Sequence, residues 1–193
     1  MVKTLILIGA GEGLGNAVAK EFESLGIEVS THTGDASQPE TLTNAIKAIT
    51  DKWGTPDALV YNIGVTTPEG DQVVDSDFLM KRYQIDAASA WHSANLVATK
   101  EFGEKKGAII FTGGGFAKTF QPILQLKALC IDKAALNAMN IILHEQLKPL
   151  GIFVGSVIIN GVITKGDEKN DPSIIAKQYW KMYNEQQEYQ VLY

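Results

Sequence analysis

The sequence contains a single cysteine, Cys130, so no disulfide bond can form within the chain. Such cysteine use is typical of a reducing compartment, and we expect the protein to be cytoplasmic. Basic residues are scattered: 17 Lys and Arg stand against 22 Asp and Glu, for a formal net charge of −5. The missing basic stripe argues against a nucleic acid or an anionic membrane as a partner.

Long hydrophobic runs are missing as well. The first apolar run stops at Gly9 and no small-residue cleavage site follows it, so we expect no signal peptide and no membrane span. The sequence has no internal repeat and no low-complexity tract. Its 193 residues fit one domain, which we expect to cover residues 1–193.

Glycine, by contrast, is concentrated near the start of the chain. A predicted strand over Lys3–Ile8 leads into glycines at positions 9, 11, 13 and 15, and a helix is predicted over Gly13–Ser24. Glycines allow a sharp turn and the close approach of a ligand. Because the first turn of a helix presents free N–H groups, this turn is suited to a pyrophosphate. The alternative is a glycine-rich turn that binds nothing.

Apolar strands and helices alternate along the rest of the chain. The further predicted strands are Ile27–Thr31, Asp57–Tyr61, Ala108–Thr112, Ile152–Ile159 and Glu188–Tyr193. The further predicted helices are Pro39–Lys52, Ser76–Phe102, Leu124–Pro149 and Ile174–Tyr183. This alternation predicts a doubly wound, mainly parallel α/β sheet. The turns 9–15, 62–64, 113–115 and 160–161 should then meet at one edge and form a ligand cleft.

The predicted helix Leu124–Pro149 has two apolar faces. One face carries Leu129, Leu136, Leu143 and Leu147, and the other carries Ile131, Ala135, Met139 and Ile142. A helix that lies on one sheet needs only one such face. We expect the second face to form a contact in a homo-oligomer. The alternative is packing against the helix Ser76–Phe102.

Four segments, in this order, resemble the short-chain dehydrogenase/reductase family. They are Gly9–Gly15 (the family's G-x-x-x-G-x-G loop), Asp57–Gly64 (its D-x-L-V-N-N-A-G), Ile109–Gly114 (its strand before the catalytic serine) and Val157–Thr164 (its V-x-P-G-x-V-x-T). The resemblance covers nearly the whole chain and implies a Rossmann-like fold that binds NADP or NAD. The residues it places at the cofactor are Gly9, Gly11, Glu12, Gly13, Leu14, Gly15, Asp35, Asn62, Gly64, Lys133 and Thr164.

Some of these residues also have a plainer interpretation. Asn62 would then only form a turn, Asp35 would cap a helix, and Lys133 would be a surface lysine with a buried stem. His92 and His144 have no second ligand at metal spacing, so we predict no metal site.

The catalytic positions depart from the family. Its reaction depends on Tyr-x-x-x-Lys, in which the tyrosine is the general acid/base. Here Lys133 matches the lysine, but Leu129 stands in the tyrosine's place and cannot donate a proton. Thr112 is the only hydroxyl near the place of the catalytic serine, and Asp86 stands where the family has an asparagine. The candidate catalytic residues are therefore Lys133, Thr112 and Asp86, with a helix-surface acid as the alternative for Asp86.

A branch of the family that lacks the tyrosine is similar in further details. Its members resemble this chain in Ile-Ile-Phe-Thr-Gly, in Val-Ile-Ile-Asn-Gly and in the helix that carries Tyr179 and Trp180. They keep the lysine.

The adenosine side is shortened relative to the family. Only His32, Thr33 and Gly34 separate the strand Ile27–Thr31 from Asp35, whereas a crossover to another parallel strand needs at least about 10–12 residues. The fold should therefore lack one β-α unit and keep six strands. A contact of His32 or Thr33 with a 2′-phosphate would favour NADP over NAD; the alternative is that neither residue touches the cofactor.

These features predict an NAD(P)-dependent oxidoreductase with an atypical active site, which moves a hydride to or from a carbonyl or alcohol. A non-catalytic nucleotide-binding or regulatory protein on the same fold is the alternative. A structural oligomer that has lost the ligand is a third hypothesis.

Overall fold

The computed structural model describes residues 3–30, 34–119 and 121–193, and within them six strands form one sheet. The strands are β1 (Lys3–Ile8), β2 (Ile27–Ser30), β3 (Ala58–Tyr61), β4 (Ala108–Gly114), β5 (Phe153–Ile159) and β6 (Gln190–Leu192). Their order across the sheet is β2-β1-β3-β4-β5-β6, and each neighbouring pair is parallel. The prediction of a six-stranded parallel sheet is confirmed.

Helices cover both faces of this sheet. They are α1 (Leu14–Ser24), α2 (Pro39–Trp53), α3 (Ser76–Tyr83), α4 (Ser89–Val97), α5 (Lys100–Glu104), α6 (Gly115–Thr119), α7 (Lys127–Leu147) and α8 (Pro172–Glu185). Buried side chains of α1 and α8 share one apolar core with the sheet. Those of α2, α4 and α7 share a second core with it. The two cores confirm the doubly wound arrangement.

The strand order reverses at β1, because β2 lies on one side of it and β3 on the other. In open α/β sheets, such a reversal leaves a crevice at the carboxyl ends of the strands, where ligands bind. The glycine-rich turn follows the carboxyl end of β1, so the topology places the predicted phosphate-binding turn at the edge where a ligand is expected.

The four glycines of that turn fall into two groups, according to the space that a side chain would have. Gly9 has a φ of +88°, and a Cβ there would lie 2.3 Å from the carbonyl oxygen of Asn62. A Cβ on Gly15 would lie 2.1 Å from the carbonyl oxygen of Gly9. At Gly11 and Gly13, a Cβ would meet no heavy atom of the described chain within 4 Å. Folding therefore demands glycine at two positions and leaves space at the other two.

The predicted helix Ser76–Phe102 is wrong as a single element. The segment consists of α3, a π-helical turn over Gln84–Ala88, α4 and the short α5. A π-helical turn inserts an extra residue into the helical repeat and redirects the side chains that follow it. Here the wider turn carries Asp86, which is fully buried. Thr99 caps the N-terminus of α5, because its hydroxyl accepts a hydrogen bond from the Phe102 N–H.

The second long helix has its predicted position but shorter ends. Turns of 3₁₀ helix over Leu124–Leu126 and Lys148–Leu150 flank α7. Its first apolar face is buried, as Leu129, Leu136, Leu143 and Leu147 are each less than 5% exposed. On its second face Ile131 and Ile142 remain 52% and 53% exposed. Packing inside this chain therefore leaves the outer part of the second face uncovered.

The first turn of α7 is held by a distant carboxylate. Glu69, in the loop after β3, accepts hydrogen bonds from the Ala128 N–H at 2.7 Å and from Lys127 Nζ at 3.2 Å. Although burial opposes ionisation, these donors together hold the pKa of Glu69 below its usual value. The contact fixes the loop against α7. Of the helices described, none is both apolar enough and long enough to span a bilayer.

The glycine turn gives a paired stability test. Gly15→Ala should lower the free energy of unfolding by about 1–3 kcal/mol, because the new methyl group collides with the backbone at Gly9. Gly11→Ala should change it by less than about 0.5 kcal/mol, since the methyl group enters open space. Urea unfolding of both variants measures the difference. Equal losses would contradict the division of the four glycines into two kinds.

Candidate functional site

A cleft of about 800 Å³ opens at the carboxyl edge of the sheet. Three of the expected turns line it, through Asn62–Gly64, Gly113–Gly114 and Asn160–Gly161. The turn after β1 contributes Leu14, the first residue of α1. The remaining wall comes from α6, the segment before α7, and α7 itself, with Phe116, Ile123, Leu126, Leu129 and Lys133. The expectation that these turns meet in one cleft is confirmed for 62–64, 113–114 and 160–161, whereas the turn 9–15 reaches it only through Leu14 among the described lining residues.

Lys133 is the buried cation of the cleft wall. Its residue is 4% exposed, so it is not a surface lysine. Nζ donates hydrogen bonds to the carbonyl oxygens of Ile63, at 2.6 Å, and Thr112, at 2.8 Å. Burial lowers the pKa of Lys133 to about 8, against the opposing effect of nearby Asp86 and Asp132. A lysine with this pKa is a stronger acid than an ordinary lysine.

Asp86 lies behind Lys133 and is fully buried, so the alternative of a helix-surface acid is wrong. Its Oδ1 accepts a hydrogen bond from the Val65 N–H at 3.0 Å, and its Oδ2 lies 3.6 Å from Nη2 of Arg82. Arg82 in turn donates to the Val65 carbonyl oxygen. Burial raises the pKa of Asp86, although Lys133 and Arg82 favour the charged form. Asp86 is not among the described residues that line the cleft.

Asp132 is the fourth charged group of this cluster, and it was not among the predicted site residues. It is 1% exposed, and its Oδ2 has no hydrogen-bond partner among the described residues. Burial, followed by the negative charge of Asp86, raises the pKa of Asp132 to about 7. Helical spacing could have found it, because Asp132 is three residues from Leu129 and four from Leu136 on the buried face.

Thr112 belongs to a chain of hydrogen bonds that begins on α8. Its hydroxyl donates to Oδ1 of Asn62 at 2.8 Å, while Nδ2 of Asn62 donates to the Gly9 carbonyl oxygen at 3.0 Å. The hydroxyl of Tyr179 lies 2.6 Å from that of Thr112. Because the single proton of Thr112 goes to Asn62, Tyr179 must be the donor of this bond. Tyr179 is fully buried, and burial raises its pKa, which keeps it protonated.

This chain of hydrogen bonds was also missed from the sequence, apart from its members Thr112 and Asn62. Tyr179 is separated from Thr112 by 67 residues, so no local spacing links them. The chain gives Asn62 a structural task, which is to hold the Gly9 carbonyl. It also means that the Thr112 proton is already used within the protein.

Apolar groups lie at the place where the resemblance expects a tyrosine and in the glycine stretch 113–115, near the expected serine. Leu129 is 3% exposed and lines the cleft. At Gly114, a Cβ would lie 2.5 Å from the ring of Phe116, so that ring covers the space of a side chain. The cleft therefore has an apolar wall beside Lys133.

Other predicted contacts lie away from this wall. The Asp35 carboxylate accepts a hydrogen bond from the Ser37 N–H at 2.8 Å, which lowers its pKa and closes the turn before α2. Thr164 is exposed, and its hydroxyl donates to the Val162 carbonyl oxygen at 3.2 Å. Glu12 is exposed in the glycine turn. As cofactor contacts, these three residues remain predictions. His32 and Thr33 lie outside the described residues.

The described ranges contain no set of metal ligands, because no three His, Cys, Asp or Glu side chains converge there. The buried carboxyls Asp86 and Asp132 face two cations instead. Their surroundings are those of an ion-pair cluster.

A family model and solved structures relate this chain to the same family of proteins. The model of the family described as "short chain dehydrogenase" matches residues 3–173. A short chain aldehyde dehydrogenase 1 from Euphorbia lathyris is 25% identical over 179 residues, which are 89% of this chain and 61% of that protein. The chain thus spans less than two thirds of that relative. A cyclic-di-GMP-binding biofilm dispersal mediator protein from Escherichia coli K12 is 25% identical over 186 residues, 88% of this chain and 77% of that protein.

Solved structures share the fold. A metagenomic short-chain oxidoreductase in complex with NADP has a TM-score of 0.84 at 19% identity, over 99% of this chain and 96% of that one. An alcohol dehydrogenase from Thermococcus sibiricus, complexed with 5-hydroxy-NADP, has a TM-score of 0.82 at 15% identity, over 99% and 95%. A 3-ketoacyl-(acyl-carrier-protein) reductase from Brucella melitensis, complexed with NADH, has a TM-score of 0.84 at 19% identity, over 98% and 95%. These neighbours carry nicotinamide dinucleotides on a fold of this kind.

The hydrogen-bond chain from Tyr179 predicts a coupled pair of variants. Thr112→Val should lower the free energy of unfolding by about 1–3 kcal/mol, because the Tyr179 hydroxyl and Asn62 Oδ1 both lose their partner. Tyr179→Phe removes only the donor and should cost less. The double variant should cost little more than Thr112→Val, since both changes break the same bond.

Urea unfolding measures all three variants, and Tyr193→Phe, whose hydroxyl bonds to Lys169 at the surface, is the matched control. Strictly additive losses in the double variant would show that the two hydroxyls do not interact.

Proposed function

The chain belongs to the short-chain dehydrogenase family, and on this premise we propose that it binds NADP or NAD in the cleft and transfers a hydride between the nicotinamide and a carbonyl or alcohol. The observation that carries the proposal is that one cleft, at the carboxyl edge of the sheet, is lined both by Leu14, the first residue of α1 after the glycine turn, and by the buried Lys133. This edge lies at the reversal of strand order.

The residues at the start of α1 and in the cleft fit a dinucleotide. The space above Gly11 and Gly13 lies at the N-terminus of α1, where backbone N–H groups and the helix dipole favour a pyrophosphate. Asn62 and Gly64 form the wall beside it, and Lys133 lies against Gly64, whose Cβ would be 3.4 Å from Nζ. We assign the ribose hydroxyls to Lys133. When bound, the nicotinamide supplies or accepts the hydride.

The proton of the reaction needs a donor other than Leu129. Thr112 is a poor candidate, because its hydroxyl donates to Asn62. Lys133 remains, since two of its three N–H bonds are directed to Ile63 and Thr112 and its pKa is lowered. Its third N–H is the one assigned to the ribose, so we assign to Lys133 the role of passing a proton to the substrate oxygen through the ribose hydroxyl and water. Losing a dedicated general acid costs about 10²–10⁴ in rate, so turnover should be slow.

The second candidate function is binding without catalysis. The observation that favours it is Leu129, an apolar side chain that lines the cleft four residues before Lys133, where the resemblance expects a tyrosine. A regulatory protein on this fold would keep the glycine turn and Lys133 for the dinucleotide and have no use for a proton donor. The two candidates agree on the ligand and differ on turnover.

We also assign a homo-oligomer contact to the second face of α7. Ile131 and Ile142 are more than half exposed on a helix whose other face is buried. Burying apolar side chains of this size is a common basis of subunit contacts. Light scattering of the wild type and of Ile131→Asp/Ile142→Asp should show an oligomer that the double variant dissociates. A monomeric wild type would contradict the assignment.

Titration with NADPH and NADH tests the binding step. A ligand at 100 times its Kd adds about 2.7 kcal/mol to the free energy of unfolding, so the melting temperature should rise with ligand concentration. Lys133→Ala should weaken binding, while Lys177→Ala, an exposed lysine on α8, should not. Comparison of the two dinucleotides decides the predicted preference for NADP. No rise with either ligand would contradict both candidate functions.

Leu129→Tyr separates catalysis from binding. In an active cleft, the new phenol restores a proton donor four residues before Lys133, and carbonyl reduction should rise by about 10²-fold or more. Leu129→Phe is the control, because it adds the ring without the hydroxyl. Rates are followed by NADPH oxidation with a panel of aldehydes and ketones. A cleft that binds NADPH but stays inactive in the wild type and in Leu129→Tyr would favour the binding protein.

A further inference from the structure

We propose that Asp86 and Asp132 form a buried proton-binding site, which sets the net charge at the Lys133 end of the cleft. The site consists of two carboxyl groups from different elements: Asp86 comes from the π-helical turn and Asp132 from α7. The fold of α7 does not need these two carboxyl groups, because the apolar face of the helix already packs against the sheet through Leu136 and Leu143.

The burial of the two carboxyl groups favours a shared proton. They are 0% and 1% exposed, and the π-helical turn that carries Asp86 packs against α7, which carries Asp132. Oδ2 of Asp86 and Oδ2 of Asp132 have no hydrogen-bond partner among the described residues. Ionised carboxylate oxygens are acceptors only, and burying two of them without a donor is costly. One proton on the pair supplies a donor and removes one of the two negative charges.

Charged and titratable groups approach the pair from several elements. Arg82 comes from α3 and Lys133 from α7, and both cations favour ionised carboxylates. Tyr61 comes from β3, and its hydroxyl donates to the Ile85 carbonyl oxygen next to Asp86. Burial, with the charge of Asp86, raises the pKa of Tyr61 and keeps it neutral. The cluster therefore has two cations, of which Lys133 has a pKa lowered to about 8, and one exchangeable proton on the carboxyl pair.

That proton changes the charge below the cleft by one unit. With the proton bound, Arg82 and Lys133 carry two positive charges against one negative charge on the pair. Without it, the cluster is neutral. Like charges in contact and far from water resist double ionisation, so the pair should lose its proton near neutral pH, as the raised pKa of Asp132 also indicates. The consequence for a ligand in the cleft rests on the proposed function.

The stability arm of the test needs no ligand. Asp132 has a raised pKa in the folded state, so its protonation stabilises the fold at low pH, and this contribution is lost as the pH rises from about 4 to about 7. Over that window, the folding equilibrium constant of the wild type should fall by up to about ten-fold per pH unit relative to Asp132→Asn. Asp51→Asn, which changes an exposed carboxylate, should follow the wild type.

Denaturant unfolding at pH 5, 6, 7 and 8 gives this comparison. A constant ratio of the wild-type and Asp132→Asn folding constants across the series would overturn the proposal. Infrared spectroscopy of the wild type at pH 6 is the second measurement, and it does not depend on a variant that folds. It should show the C=O band of a protonated carboxyl group, and the absence of this band at pH 6 would equally overturn the proposal.

The ligand arm uses NADPH itself. Asp132→Asn is neutral and mimics the protonated pair, so between pH 6 and pH 8 only Lys133, whose pKa is lowered to about 8, still changes the charge beside its cleft, and its NADPH affinity should fall less than that of the wild type. The wild type should bind about five-fold more weakly at pH 8 than at pH 6, which is the lower range of coupling between protein sites. Equal pH dependence in both proteins would overturn the link to the cleft. A failure of NADPH to bind at any pH contradicts the proposed function and leaves the stability arm to decide the proton site.

Discussion

The ammonium group of Lys133 is the constraint on which the rest of the site depends. It joins α7 to the ends of two neighbouring strands, through the carbonyl oxygens of Ile63 and Thr112. A buried cation is costly unless hydrogen bonds and opposite charge compensate it. The carboxyl groups of Asp86 and Asp132 supply that charge, and the π-helical turn brings Asp86 inward to do so. The break in the predicted helix Ser76–Phe102 thus has a cause: an uninterrupted helix would have another register after residue 83.

The buried cluster contains more charged groups than are needed to balance the charge of Lys133. One carboxylate would balance Lys133, yet two carboxyls and Arg82 are buried with it. Replacing buried ions by apolar residues often leaves stability unchanged or improves it, so stability alone does not account for a cluster of four. Control of the charge beside the cleft does account for it. When the proton leaves the carboxyl pair, the positive charges of Arg82 and Lys133 balance the two buried carboxylates.

Sequence patterns predicted the sheet and the glycine turn because both depend on local information. Apolar runs mark β1 and β3–β5, and the short link between Thr31 and Asp35 correctly indicated a sheet of six strands. The charged cluster was harder. Asp132 is surrounded in sequence by residues of a regular helix, and its burial depends on where α7 meets the π-helical turn. Tyr179 reaches Thr112 across 67 residues, and only the packing of α8 on the sheet brings them together.

The glycine turn shows how far such a motif supports a function. Gly9 and Gly15 are required by contacts inside the protein, so any chain with this strand–turn–helix geometry must keep them, whether or not it binds a ligand. Gly11 and Gly13 have no such requirement among the described residues, and glycine in open space is costly in entropy. A dinucleotide site therefore depends on these two glycines, on the cleft that α1 reaches through Leu14 and on the buried Lys133 that lines the same cleft.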